Sequence, residues 1–284
     1  MFQQMKNILL PTDFSKNSKN AIEYAMKFFE NQECHFYILN IQKSSEYITA
    51  DLVAGSQSDS VYDSISKDNK ALIHNLVKAL SKKTKSQAYT FHELFDYDDF
   101  VSAIKQAVEL NAIDLIIMGN NGASDASEVI FGSNTLQVIR YVDCPTLTVP
   151  EHYSYSSIKE VLFSMQDEEK LTFKGIDIFK DILTMHKCQL NVLQLDDTSQ
   201  TEASEKEDNQ SIQKLFQDYP YTYFHLNTIP GLIVLNTTTQ LLKIDLHAVS
   251  IEKETFLKRL FFGSDTSQLA YGTLIPLLFL HKDN

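Results

Sequence analysis

Several residue types and patterns that mark common protein classes are rare or missing in this sequence. The chain has no tryptophan and only three cysteines, Cys34, Cys144 and Cys188, with no Cys-x-x-Cys pair. A disulfide framework and a zinc site of the usual spacing are therefore not predicted, and a reducing cytoplasmic compartment fits better. Basic residues are also in deficit, so the net charge at pH 7 is −12. That balance argues against nucleic acid or an anionic membrane as a partner, because both bind a cationic face.

Long apolar runs are absent as well. The longest candidate, Leu274–Leu280, has the length of a strand and is too short to span a membrane. The start of the chain carries one lysine and a short apolar run at Asn7–Leu10, which predicts a strand and not a secretory signal. We therefore expect a cytoplasmic protein. Its 284 residues, of which 43% are hydrophobic, suffice for two domains of ordinary size.

The first half alternates short apolar runs with stretches of helical spacing. The runs predict strands at Asn7–Leu10, His35–Ile41, Gln87–Leu94, Asp114–Met118 and Pro145–Val149. Between them, apolar residues spaced three and four apart predict helices. Strands separated by helices form a parallel sheet that is covered on both faces, so the fold class is α/β. Ligands of such folds bind beyond the carboxyl ends of the strands.

The second half is a diverged copy of the first. The motif Phe131-Gly-Ser recurs as Phe262-Gly-Ser, and a proline follows at the same distance in both copies, Pro145 in the first and Pro276 in the second. A shared motif with equal spacing to a second anchor indicates an internal duplication. The predicted domains are residues 1–150 and 151–284.

One loop holds three of the chain's eight glycines. The predicted strand ending at Met118 runs into Gly119-Asn-Asn-Gly122, and after nine further residues Gly132-Ser133 opens a helix. Glycines permit positive φ and close approach of N–H groups to a ligand, and a helix N-terminus offers unsatisfied N–H groups and a positive dipole end. The pattern predicts an anion cradle. Asp13, at the end of the first strand, would face it and accept from a ribose hydroxyl.

Plainer explanations exist for these residues. A tight turn at Gly119 and Gly122 followed by Ser133 as an ordinary N-cap would use the same pattern, which is neither a Walker A loop nor a dinucleotide fingerprint. His247 lies in an apolar run and is expected to be a hydrogen-bonded core residue. The aspartates at 96, 98 and 99 precede a helix, so capping is favoured over a magnesium site. No spacing typical of hydrolases is present, and we predict neither catalytic residues nor a metal centre.

The motifs taken together resemble the universal stress protein family. They are Pro11-Thr-Asp-Phe-Ser after the first strand, Gly119-x2-Gly-x9-Gly-Ser after the fourth, and Cys144-Pro-Thr-Leu-Thr-Val as the fifth. The resemblance covers essentially the whole chain, as a tandem member, and rests on structural similarity alone in the second copy. It implies two doubly wound five-stranded parallel sheets, each with strand order 3-2-1-4-5, of the adenine nucleotide alpha hydrolase-like type.

The resemblance also implies a ligand, ATP or AMP with or without magnesium, in the first-domain crevice. Asp13 and the main chain of Ile41 would hold the adenosine. Met118 and Gly119 would flank the ribose and first phosphate. The phosphates would be ringed by Gly122, Gly132, Ser133 and Asn134. Asn134 departs from the family pattern, which often has a small apolar or hydroxyl residue there, and this leaves nucleotide choice open.

The second copy lacks the residues that such a site needs. Ser250 stands where the first copy has Gly119, Lys253 replaces Gly122, and Gln166 replaces Asp13. We expect no nucleotide there. The second domain would instead pack against the first as the two chains of a family dimer do, forming an intramolecular pseudo-dimer, and further homodimerisation stays open.

Two functions from different classes follow. The first is a stress-response regulatory protein that binds ATP or AMP at one site in the first domain. The alternative is a structural or interaction protein that keeps the fold without a nucleotide. Slow ATP hydrolysis is a weaker third hypothesis, because no general base or arginine clamp can be named.

Overall fold

The computed structural model describes residues 5–42, 58–84, 88–120, 132–166, 173–196, 211–227, 231–251 and 275–282. The first half contains β1 (Lys6–Pro11), α1 (Lys16–Phe28), β2 (Cys34–Ile41), α2 (Ser58–Lys83), β3 (Tyr89–Asp96), α3 (Phe100–Leu110), β4 (Leu115–Asn120), α4 (Ser133–Tyr141) and β5 (Thr146–Pro150). The second half contains β6 (Glu160–Gln166), β7 (Phe173–Lys174), α5 (Ile176–His186), β8 (Gln189–Asp196), α6 (211–216), β9 (Tyr221–Asn227), α7 (Gly231–Leu241), β10 (Leu246–Ile251) and β11 (Leu277–Lys282).

The strand order confirms the predicted α/β fold and extends it. In the first half the order β3-β2-β1-β4-β5 is the predicted 3-2-1-4-5, with every neighbouring pair parallel. The second half repeats it as β9-β8-β6-β10-β11. The two five-stranded parts also meet edge to edge, because β5 and β11 pair antiparallel and join the described strands into one 11-stranded sheet.

Helix ends in the first half follow from the local sequence. Ser15 is the N-cap of α1, and its hydroxyl accepts from the Ser18 N–H at 3.1 Å. The helix then buries one apolar face against the sheet. Asp99 caps α3 in the same way, since Oδ1 accepts from the N–H groups of Val101 and Ser102. This confirms that the aspartate run serves a helix start.

Matching details of strand register and turns support the duplication. Asp114 Oδ2 accepts from the Asn7 N–H at 2.8 Å, and in the second half Asp245 Oδ2 accepts from the N–H of the equivalent residue, Glu160, at 3.0 Å. The turns before these aspartates both contain a left-handed residue, Ala112 (φ 46) and Lys243 (φ 52). Because the pairing of β6 with β10 repeats that of β1 with β4, Ser250 occupies the position of Gly119.

The two halves share one hydrophobic core on the side of the sheet covered by α1 and α5. The linker tyrosines Tyr153 and Tyr155 pack their rings against Tyr24 of α1. Phe28 of α1 lies with its ring centroid 4.6 Å from that of His186 in α5. Aromatic packing therefore fastens the linker and both halves together.

Candidate functional site

A cleft of about 500 Å³ opens at the carboxyl ends of β1, β2 and β4, beside the N-terminus of α4. The structure brings seven of the predicted site residues to it: Asp13, Ile41, Met118, Gly119, Gly132, Ser133 and Asn134. Gly122 lies outside the described residues. The cleft is also lined by polar residues that the sequence analysis did not single out: Thr12, Asn17, Ser18, Asn40, Gln42 and Asn69.

Asp13 sits in a tight turn directly after β1. Its Oδ1 accepts from the Ser15 N–H at 3.0 Å. The next residue, Phe14, has a φ of 64, a strained conformation for a bulky side chain, and its N–H donates to Thr12 Oγ1. Burial raises the pKa of Asp13, but hydrogen bonds from Ser15 and Ser18 outweigh it and leave the pKa below its ordinary value. The cleft therefore presents an ionised carboxylate, which can only accept hydrogen bonds.

The role of Gly119 comes from its missing side chain, which lets another residue approach closely, and not from an unusual backbone conformation. It lies within β4 and has no left-handed φ, a conformation that Gly175 alone adopts among the described glycines. A Cβ at Gly119 would lie 2.3 Å from Asn17 Oδ1 and 2.6 Å from its Cγ. The positive-φ explanation for Gly119 was therefore wrong, and the missing side chain instead leaves room for Asn17 at the wall of the cleft.

The N-terminus of α4 closes the β4 side of the cleft. The helix begins at Ser133 as predicted, but its N-cap is Gly132, so the alternative of Ser133 as an ordinary N-cap was wrong. No side chain of the described residues caps this end. Thr135 Oγ1 donates to the Gly119 carbonyl and ties the helix to β4. The first-turn N–H groups and the positive dipole end therefore face the cleft, with no side-chain acceptor from the part of the chain that the structure describes.

The β2 side of the cleft carries two amides, Asn40 and Gln42. They are 5% and 6% exposed. Asn40 Nδ2 donates to the Thr12 carbonyl at 2.8 Å, while Asn40 Oδ1 and Gln42 Nε2 are buried and have no hydrogen-bond partner among the described residues. The sequence signal that could have revealed these two residues was a pair of amides, spaced two apart, at the end of an otherwise apolar strand.

Other candidate groups lie away from the cleft. His247 is fully buried, as expected, and its Nε2 lies 2.6 Å from Ser164 Oγ. Burial lowers its pKa to about 3, so it is neutral. His35 and His92 are hydrogen-bonded to each other between β2 and β3. Within the described residues, no group of three or more histidines, cysteines and acids could hold a metal ion.

The equivalent place in the second half is built differently. Ser250 is 3% exposed, and its hydroxyl has no hydrogen-bond partner within the described ranges. Gln166 ends β6, in the position that corresponds to Asp13. Lys253 lies outside the described residues. The ionised carboxylate and the space beside Gly119 are therefore features of the first half.

Comparisons with known proteins agree with this architecture. The model of the Universal stress protein family matches residues 5–150. Two relatives from Methanocaldococcus jannaschii, Universal stress proteins MJ0531 and MJ0577, are 24% and 25% identical over 51% of this chain and 81% and 94% of their own lengths. The crystal structure of a universal stress protein from Archaeoglobus fulgidus covers 98% of both chains with a TM-score of 0.69 at 14% identity, which shows a shared fold.

The helices were also compared with the requirements of a membrane span. Across the residues described above, none combines the length and the apolar character that crossing a bilayer requires.

The family match spans half of the chain, the strand order is repeated in the other half, and the cleft lies within the matched residues. The chain belongs to the universal stress protein family.

Proposed function

We propose that this protein is a stress-response regulator that binds ATP or AMP at one site in its first domain, residues 1–150. The observation that carries the proposal is a cleft in which a carboxylate follows β1 and the N-terminus of α4, which no side chain of the described residues caps, lies beside β4. Asp13 can accept from ribose hydroxyls, and the N–H groups at Gly132, Ser133 and Asn134 can meet phosphate oxygens. Ile41 and Met118 would line the adenosine.

The charge of the cleft bears on which nucleotide enters. Among the described lining residues, Asp13 alone carries a formal charge. Phosphate charge would therefore be met by main-chain N–H groups and the α4 dipole, whose effect is worth about 1 kcal/mol. ATP would be held with magnesium, which neutralises part of its charge, whereas AMP would need no ion.

The remaining domain, residues 151–284, would bind no nucleotide and would act as the built-in partner of a pseudo-dimer. Its pairing through β11 and its share of the common core support this role. We place the protein in the cytoplasm. Cys34, Cys144 and Cys188 are all buried and free, and burial raises their pKa values to about 12, 12 and 11, which suits thiols kept as packing groups.

Calorimetric titration of the full chain with ATP and AMP, with and without magnesium, tests the proposal. We expect one site per chain and loss of binding in Gly122→Lys, which copies the second half. Lys253→Gly is the matched control, because it makes the reverse change in the second half and should leave the stoichiometry at one. Unchanged binding by Gly122→Lys would contradict the proposed site. No binding of ATP, AMP or cyclic AMP at millimolar concentration would favour an interaction protein instead.

A further inference from the structure

Thr12 directly follows β1, and each of its polar groups is hydrogen-bonded. Its N–H donates to the Leu39 carbonyl, and its own carbonyl accepts from Asn40 Nδ2, both at 2.8 Å. Its hydroxyl lies 3.0 Å from Ser18 Oγ and accepts from the Phe14 N–H at 3.0 Å. Because Thr12 is buried and bonded in this way, it acts on the cleft through the residues that it holds.

The hydrogen bond to Phe14 supports a backbone conformation that bulky residues seldom adopt. Phe14 has a φ of 64, and such a residue persists in the left-handed region only where its surroundings hold it there. Thr12 Oγ1 is the acceptor that the Phe14 N–H meets in this conformation. The hydroxyl is itself held by Ser18, which lies in the first turn of α1 and also donates to the Ser15 carbonyl. The turn is therefore tied to both β1 and α1.

Asp13 lies between Thr12 and Phe14, so the same turn decides where its carboxylate stands. The Asp13 side chain is exposed and lines the cleft, which places it within reach of a ligand. Its Oδ1 accepts from the Ser15 N–H at 3.0 Å. An ionised carboxylate has about four acceptor positions, so Asp13 can keep this bond and still accept from a ligand hydroxyl.

The second half shows the same strand without this hydroxyl. Strand register makes Met165 the equivalent of Thr12 and Gln166 the equivalent of Asp13. β1 ends at Pro11, whereas β6 continues through Gln166, which still pairs with β8. Where the threonine hydroxyl is missing, the strand thus extends through the position that the carboxylate occupies in the first half.

A fixed carboxylate at this place can distinguish one sugar from another. In dinucleotide-binding folds an acidic residue accepts from a ribose hydroxyl, and a deoxyribose lacks one of these donors. Hydrogen bonds to an ionised group are stronger than neutral ones, and they weaken steeply when the angle is poor. The preference for ribose therefore depends on how firmly Asp13 is held.

We propose that Thr12 is the positioning residue that gives the cleft a preference for ribonucleotides, because its hydroxyl holds the turn at Phe14 and with it the Asp13 carboxylate. The inference rests on the proposed nucleotide site. It narrows the ligand of that site from adenine nucleotides to adenine ribonucleotides, and it assigns the choice to a hydroxyl that acts through Asp13.

The test compares AMP with its 2′-deoxy and 3′-deoxy analogues in calorimetric titrations of the full chain. Wild-type protein is expected to bind AMP about tenfold more tightly than the analogue that lacks the hydroxyl bound by Asp13. Thr12→Val keeps the shape of the side chain and removes its hydroxyl. This change should weaken AMP binding to within about threefold of that analogue, whose own affinity should stay the same. Thr12→Ala should do likewise and covers the case in which the valine variant does not fold, whereas Thr12→Ser keeps the hydroxyl and should keep the preference.

Thr146→Val is the matched control. Thr146 is a buried threonine of β5 that does not line the cleft, and its hydroxyl donates to the Cys144 carbonyl, so its loss should leave the ribose preference unchanged. A full ribose preference retained in both Thr12→Val and Thr12→Ala would overturn the positioning role while leaving the nucleotide site intact. An equal loss of affinity for all three nucleotides in these variants, or equal binding of the three by wild-type protein, would overturn it as well. Failure of wild-type protein to bind any of the three would overturn both proposals.

Discussion

The two halves of the chain agree where the backbone is hydrogen-bonded and differ where the strands end. Both have the strand order 3-2-1-4-5, and both place an aspartate before the fourth strand that accepts backbone N–H groups from the first. At the carboxyl ends, by contrast, Asp13 and Gly119 are replaced by Gln166 and Ser250. The sheet and its turns are therefore common to both halves, whereas the carboxylate and the glycine of the cleft occur in the first half alone.

The interior also differs between the halves at one equivalent pair of positions. Strand register places His247 where the first half has Ile116, and Ser164 where it has Pro11. The second half thus holds a buried Ser–His hydrogen bond in a place that the first half fills with apolar groups. Neither residue is exposed at all, so this pair affects stability and not a ligand.

The largest effect is expected at the junction of the halves, for Gly175→Ala. Where α1 starts at a Ser15 side-chain cap, α5 starts at Gly175, whose φ is 83 and whose missing Cβ would lie 2.0 Å from Pro145 Cγ. A left-handed alanine costs about 1 kcal/mol and overpacking another 1–3. We expect about 3 kcal/mol of destabilisation in urea unfolding.

Lys187→Gly is the opposing control for the junction. Lys187 ends α5 with a φ of 52, so glycine there relieves backbone strain and should leave stability equal or slightly higher. If Gly175→Ala unfolded at the same urea concentration as wild type, the close contact between the halves at Pro145 would be wrong.

The next largest effect is a pH dependence of stability that should arise from the second half. Burial lowers the pKa of His247 to about 3, against about 6.5 in an unfolded chain. The neutral form is therefore favoured by folding, so its stability contribution is complete above pH 6.5 and is lost as the pH falls from 6.5 toward 3. One such proton is worth about 1.4 kcal/mol per pH unit, or about 2 kcal/mol between pH 6.5 and 5.

His247→Ile combined with Ser164→Ala gives this position the apolar character of the first half. The double variant should lose about 2 kcal/mol less stability than wild type between pH 6.5 and 5, measured by urea unfolding at both pH values. Burial also lowers the pKa of the half-buried His186, to about 4. Its contribution to the pH dependence of stability is the same in both proteins. Identical pH slopes for the two proteins would show that His247 is not held neutral.

Much of the fold was predictable because it depends on local sequence patterns that occur in both halves of the chain. The strand and helix positions follow from apolar spacing. The equal distance from the glycine to the proline in both copies correctly identified Ser250 as the equivalent of Gly119. The antiparallel contact of β5 with β11 was not predictable, since both are buried strands whose sequences do not specify which edge they meet.

The cleft was predictable in its acidic and glycine residues and not in its amides. Asp13 and Gly132 stand out because each belongs to a spaced motif, Pro-Thr-Asp-Phe-Ser after the first strand and Gly-x2-Gly-x9-Gly-Ser after the fourth. Asn40 and Gln42 follow an apolar run, where polar residues are usual at a surface, and only the folded structure places them at the cleft. The reason for glycine at 119 depends on Asn17, far away in sequence.

The smallest effect concerns Gly119 itself and tests that reason. The second half tolerates serine at this position, so Gly119→Ser would be harmless if the strand alone decided the outcome. In the first half the new Cβ would meet the Asn17 side chain, and we expect a loss of about 1 kcal/mol. Asn17→Ala removes the obstacle, so the same change made in that background should cost less than half as much.

A double-mutant cycle of urea unfolding measures this coupling and separates it from any other role of Asn17, because both single variants enter the calculation. A coupling energy near zero would mean that glycine is not kept at 119 to accommodate Asn17. A clear coupling would explain why one copy needs glycine where the other has serine, since the difference then lies in the side chain opposite and not in the backbone of β4.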